Sequence, residues 1–547
     1  MKEQIRLAGA VARDPRLFRI ELAYFGFNMT EYATWVAILV YAYNRGGAAT
    51  AGAVAAIQLV PSGLVAPFGA FAGDRFPRDR VLFVSYLAQA LTLGLMAAAL
   101  FMDASFALVL VFATTAAASL TFTRPTQAAL LPSISDGPEE LTAANVVSTF
   151  SESAGIVIGP LVAGILLTRW GPAEVFGVFA MVTLVAALLV ARLEVPAEDI
   201  ERKVLIGARE VVRESLGGFR FLFQDPHAGR LMLVLSGCLV VIGALDVLFV
   251  AVAISLLGKG PSWAGFLSSA SGLGALAGAV FAVSLVGRQR LVPPLAAGTF
   301  VFGGPIALIG AAPAAATAPG LFGVAGAGGS IAWVAGNTLL QRIAPHDMLA
   351  RVFGILEGMG SFALAIGSLG ASGLIEAFGV RPTLVVVGAF APAVMLALWI
   401  PLSSIDREAR VPDAGMLAFV RRMPIFAPLP PPAIEFIVAN LTEMEVPAGD
   451  VFIREGDVGD RVFMIVEGEA EVTRARAHIS DLTEGEHVGE IALLRDVLRT
   501  ATVSAKTPLK LLALDRAPFL EAVTGHPQSH ARARAIVEER LPDERDT

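Results

Sequence analysis

The chain has 547 residues, of which 55% are apolar and 16% are charged, and its mean hydropathy of +0.68 lies well above that of soluble globular proteins. The net charge of -7 and the lack of a basic stripe with interleaved aromatic residues exclude a nucleic-acid partner. The single cysteine, Cys238, excludes a disulfide framework and a cysteine-based metal site.

Charge is sparse up to about residue 403, and apolar windows of the length that spans a membrane recur there. We place twelve predicted spans at 18–43, 49–72, 81–102, 105–130, 143–168, 172–193, 229–256, 262–286, 291–312, 315–342, 351–378 and 382–402. The predicted fold is a polytopic α-helical membrane protein with two six-helix halves, 1–193 and 229–403, joined by a cytoplasmic loop at 194–228. Within that loop, 204–223 has the mixed character of a helix lying on the membrane surface.

Lysine and arginine in the short loops predict the orientation. The loops on one side carry Arg75, Arg78, Arg80, Arg288, Arg290, Arg342 and Arg351, together with the basic residues of the inter-half loop. The loops on the other side carry only Arg45, Arg169, Lys259 and Arg381. We therefore expect a multi-pass protein of the plasma membrane, the inner membrane in a bacterium, with both termini in the cytoplasm.

The sequence changes character after the last predicted span. A proline-bearing linker at 404–423 leads into 424–547, where short alternating segments are separated by glycine turns. This pattern predicts a β-roll or jelly roll with flanking helices.

A charged motif follows the second predicted span. Residues 69–80 read Gly-Ala-Phe-Ala-Gly-Asp-Arg-Phe-Pro-Arg-Asp-Arg, which resembles the cytoplasmic loop signature of the major facilitator superfamily. Two positions depart from that signature, Ala70 and Pro77. The resemblance implies a cytoplasmic gate in which Asp74 bonds a neighbouring helix end and Arg75 and Arg78 pair across the gap. The alternative is a loop that only sets the orientation.

The fifth predicted span carries small residues around a proline. Its Gly155, Gly159, Pro160 and Gly164 are similar to a motif of the exporting branches of the superfamily. Small residues allow close helix approach and proline bends the axis, so we expect a packing hinge. Such spacing is also common in ordinary membrane helices.

Ionisable groups at membrane depth are candidates for transport. Glu31 shares one helical face with Asn28 and Trp35, and we expect it to carry a proton or to contact a cationic substrate. The resemblance implies this role, because multidrug facilitators have an acid of this kind in their first helix. Asp246 is the second candidate, at the symmetry-related position of the other half.

Three further charged residues lie near helix ends. Arg124 resembles the helix 4 motif of proton-coupled antiporters, although it could instead extend towards the membrane surface. Glu152 and Glu357 are predicted to form salt bridges at the cytoplasmic gate, with a direct role in transport as the alternative.

The strongest motif lies near the C-terminus. Residues 489–501 read Gly-Glu-Ile-Ala-Leu-Leu-Arg-Asp-Val-Leu-Arg-Thr-Ala and resemble the phosphate-binding cassette of the catabolite-activator and protein-kinase regulatory-subunit families. The resemblance implies that Arg499 binds the cyclic phosphate, Glu490 the ribose hydroxyl and Thr500 the purine or phosphate. Gly489 would permit the turn, and amides at the start of the following helix would donate to the phosphate. The predicted pocket is Gly489, Glu490, Ile491, Ala492, Arg499, Thr500 and Ala501.

Two features adjoin this cassette. Residues 455–468 match the upstream pattern of the same families, Glu-Gly-Asp-x-x-Asp-x-x-Phe-x-Ile-x-x-Gly. Leu498 stands where proline often precedes the arginine, which we expect to loosen the turn.

Together the two resemblances imply a secondary active transporter embedded in membrane lipid. We expect a proton-coupled exporter of a small amphipathic or drug-like molecule, modulated by cytoplasmic cAMP or cGMP. A lipid or lysophospholipid flippase on the same fold and a non-transporting cyclic-nucleotide receptor remain alternatives. The sequence has no catalytic triad, metal-ligand cluster or Walker loop, so we expect neither an enzyme nor a metal cofactor. It leaves the oligomeric state open.

Overall fold

The computed structural model describes residues 14–135, 138–191, 225–282, 290–343, 349–404, 414–429, 431–495 and 497–524, with a few isolated residues besides. The chain divides between Ala409 and Arg410 into two compact units, one helical and one mainly of β-strands. The surface helix predicted at 204–223 lies outside the described residues.

The helical unit consists of long apolar helices in chain order. They are α1 (Pro15–Arg75), α2 (Arg78–Phe101), α3 (Phe106–Leu120), α4 (Thr123–Ile134), α5 (Pro138–Arg169), α6 (Pro172–Val190), α7 (Pro226–Ala251) with a π-helical turn at Val252–Leu256, α8 (Pro261–Ala282), α9 (Val292–Ala311), α10 (Ala318–Ile343), α11 (Leu349–Phe378), α12 (Val380–Ala397) and α13 (Trp399–Ser403).

Within the described residues, eleven helical segments are long and apolar enough to cross a membrane, and the first of them is α1. This segment of α1, Pro15–Val65, has 51 residues, which at 1.5 Å per residue would extend for about 75 Å, more than twice the thickness of a hydrocarbon core. The helix is broken at Gly46 and at Gly47, whose φ of 66° is left-handed. Its two arms correspond to the first two predicted spans. Twelve spans result if the arms are counted separately, and that number stays a prediction.

Glycines allow the closest helix contacts in this unit. A Cβ at Gly274 in α8 would lie 1.7 Å from the carbonyl oxygen of Gly323 in α10, and one at Gly326 would lie 1.9 Å from that of Ser271. Lipid tails are as apolar as the helix surfaces, so association of membrane helices depends on close backbone packing of this kind.

We expect Gly274→Val to destabilise the helical unit, because overpacking a closed contact costs about 1–3 kcal/mol. Gly370→Val is the matched control, since a Cβ at this α11 position meets nothing within 4 Å. The measurement is the apparent melting temperature of the purified protein, followed by size-exclusion chromatography after heating. Equal melting temperatures for the two variants would contradict the packing described here.

The second unit contains two antiparallel four-stranded sheets. Its strands are β1 (Leu441–Val446), β2 (Val451–Ile453), β3 (Arg461–Glu467), β4 (Ala470–Arg474), β5 (Ala477–Leu482), β6 (His487–Val488), β7 (Thr502–Ala505) and β8 (Leu509–Asp515). The strand orders are β1-β8-β3-β6 and β2-β7-β4-β5. Apolar side chains of both sheets form a shared core that includes Ile453, Ile465, Val503 and Leu511. The predicted β-sheet domain is confirmed.

Helices flank these sheets: α14 (Ala414–Arg422), α15 (Pro431–Ala439), α16 (Glu490–Arg495) and α17 (Arg516–Thr524). A second apolar cluster joins these helices to the β1-β8-β3-β6 sheet, through side chains of β3 and β8. Within it, the rings of Phe426 and Phe519 are in edge-to-face contact, with 6.2 Å between their centres. The helix α14 lies within the predicted linker at 404–423, and its Val420 belongs to this cluster.

Candidate functional site

The cassette begins with a turn that only glycine fits well. Gly489 follows β6 with a φ of 96°, a left-handed conformation that is strained for other residues. A Cβ at this position would lie 2.5 Å from a terminal nitrogen of Arg499. The absence of a side chain therefore gives the guanidinium its place directly beneath the turn.

The Arg499 guanidinium is held inside the domain by three oxygen atoms. Its Nη1 donates to the carbonyl of Gly489 at 2.9 Å, and its Nη2 donates to the carbonyl of Arg461 at 2.7 Å and to Asp460 Oδ1 at 3.4 Å. The Arg499 side chain is 5% exposed, whereas that of Asp460 is 76% exposed. Burial lowers the pKa of Arg499, and the charge of Asp460 opposes that shift. The positive charge of Arg499 is thus met mainly by two neutral backbone carbonyls and only at 3.4 Å by a carboxylate, that of the exposed Asp460.

Backbone hydrogen bonds fix the end of the cassette against the loop before β3. The Gly456 amide donates to the Arg499 carbonyl at 2.9 Å, and the Arg499 amide donates to the Asp457 carbonyl at 2.8 Å. Leu498 forms an isolated antiparallel bridge with Val458. The position where proline often stands is therefore tied to the neighbouring loop by its backbone.

The other predicted pocket residues lie on the same turn and helix. Glu490, the first residue of α16, is 1% exposed and lies close enough to Arg499 to interact with its charge. Ala492 is buried, and Ile491 and Ala501 are half-buried. Thr500 accepts a 3.0 Å hydrogen bond at its carbonyl from Nε of Arg474 at the end of β4. The segment from Gly489 to Ala501 thus contains a buried carboxyl group, that of Glu490, and a buried guanidinium, that of Arg499.

A second candidate site lies in the helical unit, where Arg124 bridges two acids. This first-turn residue of α4 donates to Glu31 of α1 at 2.6 Å and to Glu152 of α5 at 2.5 Å. The three side chains are 33%, 28% and 42% exposed, respectively, and the guanidinium lies 5.8 Å from the centre of the Phe27 ring. Two carboxylates and one guanidinium carry a net charge of -1, which suits a cation or an exchangeable proton.

Asn28 lies one turn from this cluster and packs against the predicted hinge. The Asn28 side-chain amide donates to the Tyr24 carbonyl at 2.8 Å. A Cβ added at Gly155 would lie 2.6 Å from the Cβ of Asn28. A Cβ added at Gly159 would lie 2.7 Å from the carbonyl oxygen of Met29 in α1, so this glycine also permits a close contact.

The remaining hinge residues continue this contact along α5. Gly164 packs against the carbonyl of Ser262 in α8. The carbonyl of Pro160 packs against Gly265, which also belongs to α8. The small residues of α5 therefore contact one helix from each half of the unit.

Asp246 of α7 is bonded across the halves to Trp35 of α1, one turn beyond Glu31. These two residues line a cavity of about 20 Å³ together with Phe249 and Ser268. The acid predicted for the second half therefore contacts the same helix as the Arg124 cluster.

Of the predicted gate residues, Asp74, Arg75 and Glu357 have side chains outside the described part of the chain. Arg78 donates to the carbonyl of Ala129 in α4 at 3.0 Å. Glu152 forms a salt bridge with Arg124, which also pairs with Glu31. A gate role for these residues stays a prediction.

The sequence reasoning missed Glu21. This α1 residue is 3% exposed and accepts a 2.6 Å hydrogen bond from the Ser148 hydroxyl of α5. At 100° per residue it shares a face with Asn28 and Glu31, and an acid inside a predicted span is itself a signal.

Long apolar helices with an ion-pair cluster, followed in the same chain by a β-roll with a buried cassette arginine, are features of a membrane transporter fused to a cyclic-nucleotide-binding domain. The major facilitator superfamily matches residues 20–323, more than half of the chain, and the chain belongs to that superfamily. The cyclic nucleotide-binding domain family matches residues 443–526. Both predicted resemblances are confirmed.

Two similar curated proteins each match about a fifth of this chain. A cAMP-dependent protein kinase regulatory subunit of Schizosaccharomyces pombe is 36% identical over 103 residues, which is 19% of this chain and 25% of that protein. A cyclic nucleotide-gated potassium channel of Mesorhizobium japonicum is 39% identical over 109 residues, 20% of this chain and 30% of the channel. This chain therefore spans less than a third of either relative.

Among solved structures, the regulatory domain of Toxoplasma gondii PKA with cAMP is 17% identical, with a TM-score of 0.22. The match covers 27% of this chain and 54% of that one.

Proposed function

We propose that this protein is a proton-coupled exporter of a small amphipathic molecule whose transport is modulated by cytoplasmic cAMP or cGMP. The observation that carries the proposal is that one chain of the superfamily combines the Arg124 ion-pair cluster, formed between candidate membrane-spanning helices, with the buried Arg499 of a nucleotide cassette. The first would couple charge movement to transport, and the second would sense the nucleotide.

The cassette residues fit a cyclic nucleotide. The guanidinium of Arg499 contacts two neutral carbonyls and one largely exposed carboxylate, so a phosphate anion could replace weak acceptors. The left-handed Gly489 lets the guanidinium lie directly against the turn, and Glu490 would accept from the ribose hydroxyl. The relatives named for cAMP-dependent and cyclic-nucleotide-gated functions support this ligand class.

In the helical unit, Glu31 is the proposed proton carrier or cation contact. When Glu31 takes up a proton it loses its charge, and Arg124 then keeps only its ion pair with Glu152. When the proton leaves for water, the bridge between α1, α4 and α5 is restored. Such a change would bias the rocking of the two halves that alternating access requires.

Nucleotide can change this equilibrium only by binding one conformation more tightly, typically by about 1–3 kcal/mol. We therefore expect saturating cAMP or cGMP to change the rate of ethidium export into an acidic compartment by about fivefold or more in proteoliposomes. Arg499→Ala should remove the response to nucleotide, whereas Lys510→Ala, at an exposed ion pair with Glu467, should retain it.

Nucleotide binding without any effect on a measurable ethidium flux would refute regulation. Nucleotide binding without ethidium movement would refute export of this probe and favour a receptor.

A further inference from the structure

Glu21 combines deep burial with incomplete hydrogen bonding. One carboxyl oxygen accepts from Ser148 at 2.6 Å, while the other is buried and has no hydrogen-bond partner among the described residues. A carboxylate in that setting would carry an uncompensated charge in a medium of low dielectric constant. A neutral carboxylic acid fits the site, because a proton removes the charge.

Among the described residues, Ser148 is the only side chain that forms a hydrogen bond with the Glu21 carboxyl group, and no lysine or arginine pairs with it. Tyr24 lies on the same helix and Tyr86 reaches it from α2. In α6 no residue between Val175 and Val190 is ionisable. Arg19 is two positions away on α1 and projects from the opposite side.

The nearest charged cluster lies farther along the same contact between α1 and α5. Arg124 is bound to Glu31 and Glu152, and Glu31 lies ten residues, or about 15 Å, beyond Glu21 on the helix. In this conformation Glu31 therefore has a cation as its partner, whereas Glu21 has none among the described residues.

We propose that Glu21 is a second protonation site of the N-terminal half, which holds the coupling proton in this conformation and releases it to water when α1 and α5 separate at that end. This inference rests on the proposed proton-coupled transport. The step breaks the carboxyl O–H bond and leaves a carboxylate and a hydrated proton. Re-closure would bury the charge again, so the contact reforms only after Glu21 regains a proton.

Infrared spectroscopy tests the proton directly. In the full-length protein at pH 7 in dodecyl maltoside, a detergent without carbonyl groups, we expect a carboxylic-acid C=O band that disappears in Glu21→Gln. The band should persist in Glu31→Gln, whose carboxylate pairs with Arg124, and should move to higher frequency in Ser148→Ala. A spectrum that does not differ between wild type and Glu21→Gln would overturn the proposal, as would an unshifted band in Ser148→Ala.

A flux measurement then tests the role of that proton. Proteoliposomes containing a pH-sensitive dye are given an ethidium gradient, and proton movement is recorded for wild type and Glu21→Gln. We expect ethidium-linked proton movement to be lost in the variant, and equal proton movement in both would overturn the coupling role. If wild type itself moves no protons with ethidium, the proposed function fails for this probe, and the infrared band alone decides whether Glu21 holds a proton.

Discussion

Arg499→Ala is expected to weaken the binding of both cAMP and cGMP by at least about 30-fold, since removing one partner of a buried charged contact costs about 2–5 kcal/mol. The guanidinium is the buried cation of the cassette, and its side chain is 5% exposed. A phosphate bound there would meet it away from water, where the interaction is strongest. The measurement is titration calorimetry on the purified full-length protein in detergent.

Two further variants make this result specific. Arg495→Ala removes an exposed arginine from the last turn of α16 and should leave affinity close to wild type. Arg499→Lys retains a positive charge but cannot donate to the Gly489 and Arg461 carbonyls with one planar group, so it should also bind weakly. Nucleotide affinity that survives in Arg499→Ala, with the fold intact by circular dichroism, would remove the cassette from the binding site.

The sequence predicted the cassette better than its surroundings. The spacing from Gly489 to Arg499 lies within one segment, and a local motif fixes which residues share a turn. The partners of Arg499 lie 38 and 39 residues earlier, at Arg461 and Asp460, because β3 and β6 pair across the sheet. Such a long-range pairing leaves no local periodicity that a sequence pattern could reveal.

The helical unit shows the same division between local and long-range information. Helical spacing predicted that Asn28, Glu31 and Trp35 share a face of α1. It could not predict that this face meets Arg124 of α4 and Asp246 of α7, since helix periodicity does not specify which helix lies opposite. Glu21 was missed for a related reason, because its burial against Ser148 depends on the packing of α5.

Arg124→Gln is expected to reduce proton-driven ethidium export at least about tenfold, because two carboxylates would then face each other without the cation that separates them. Repulsion between the two acids would then replace the ion pairs, and the charge difference on which the proposed coupling depends would disappear. Transport into proteoliposomes under an imposed pH gradient measures the effect. Arg169→Gln, which changes an exposed arginine in the last turn of α5, is the matched control and should transport normally.

The double variant Arg124→Gln/Glu152→Gln separates structural from transport roles of the cluster. It removes the repulsion between the acids, so we expect its thermal stability to recover relative to Arg124→Gln. Export should remain lost, because Glu31 still lacks the cation that makes its protonation change the contact between helices. If export recovers together with stability, the ion pairs only hold α1, α4 and α5 together, and the proton must be carried by another acid.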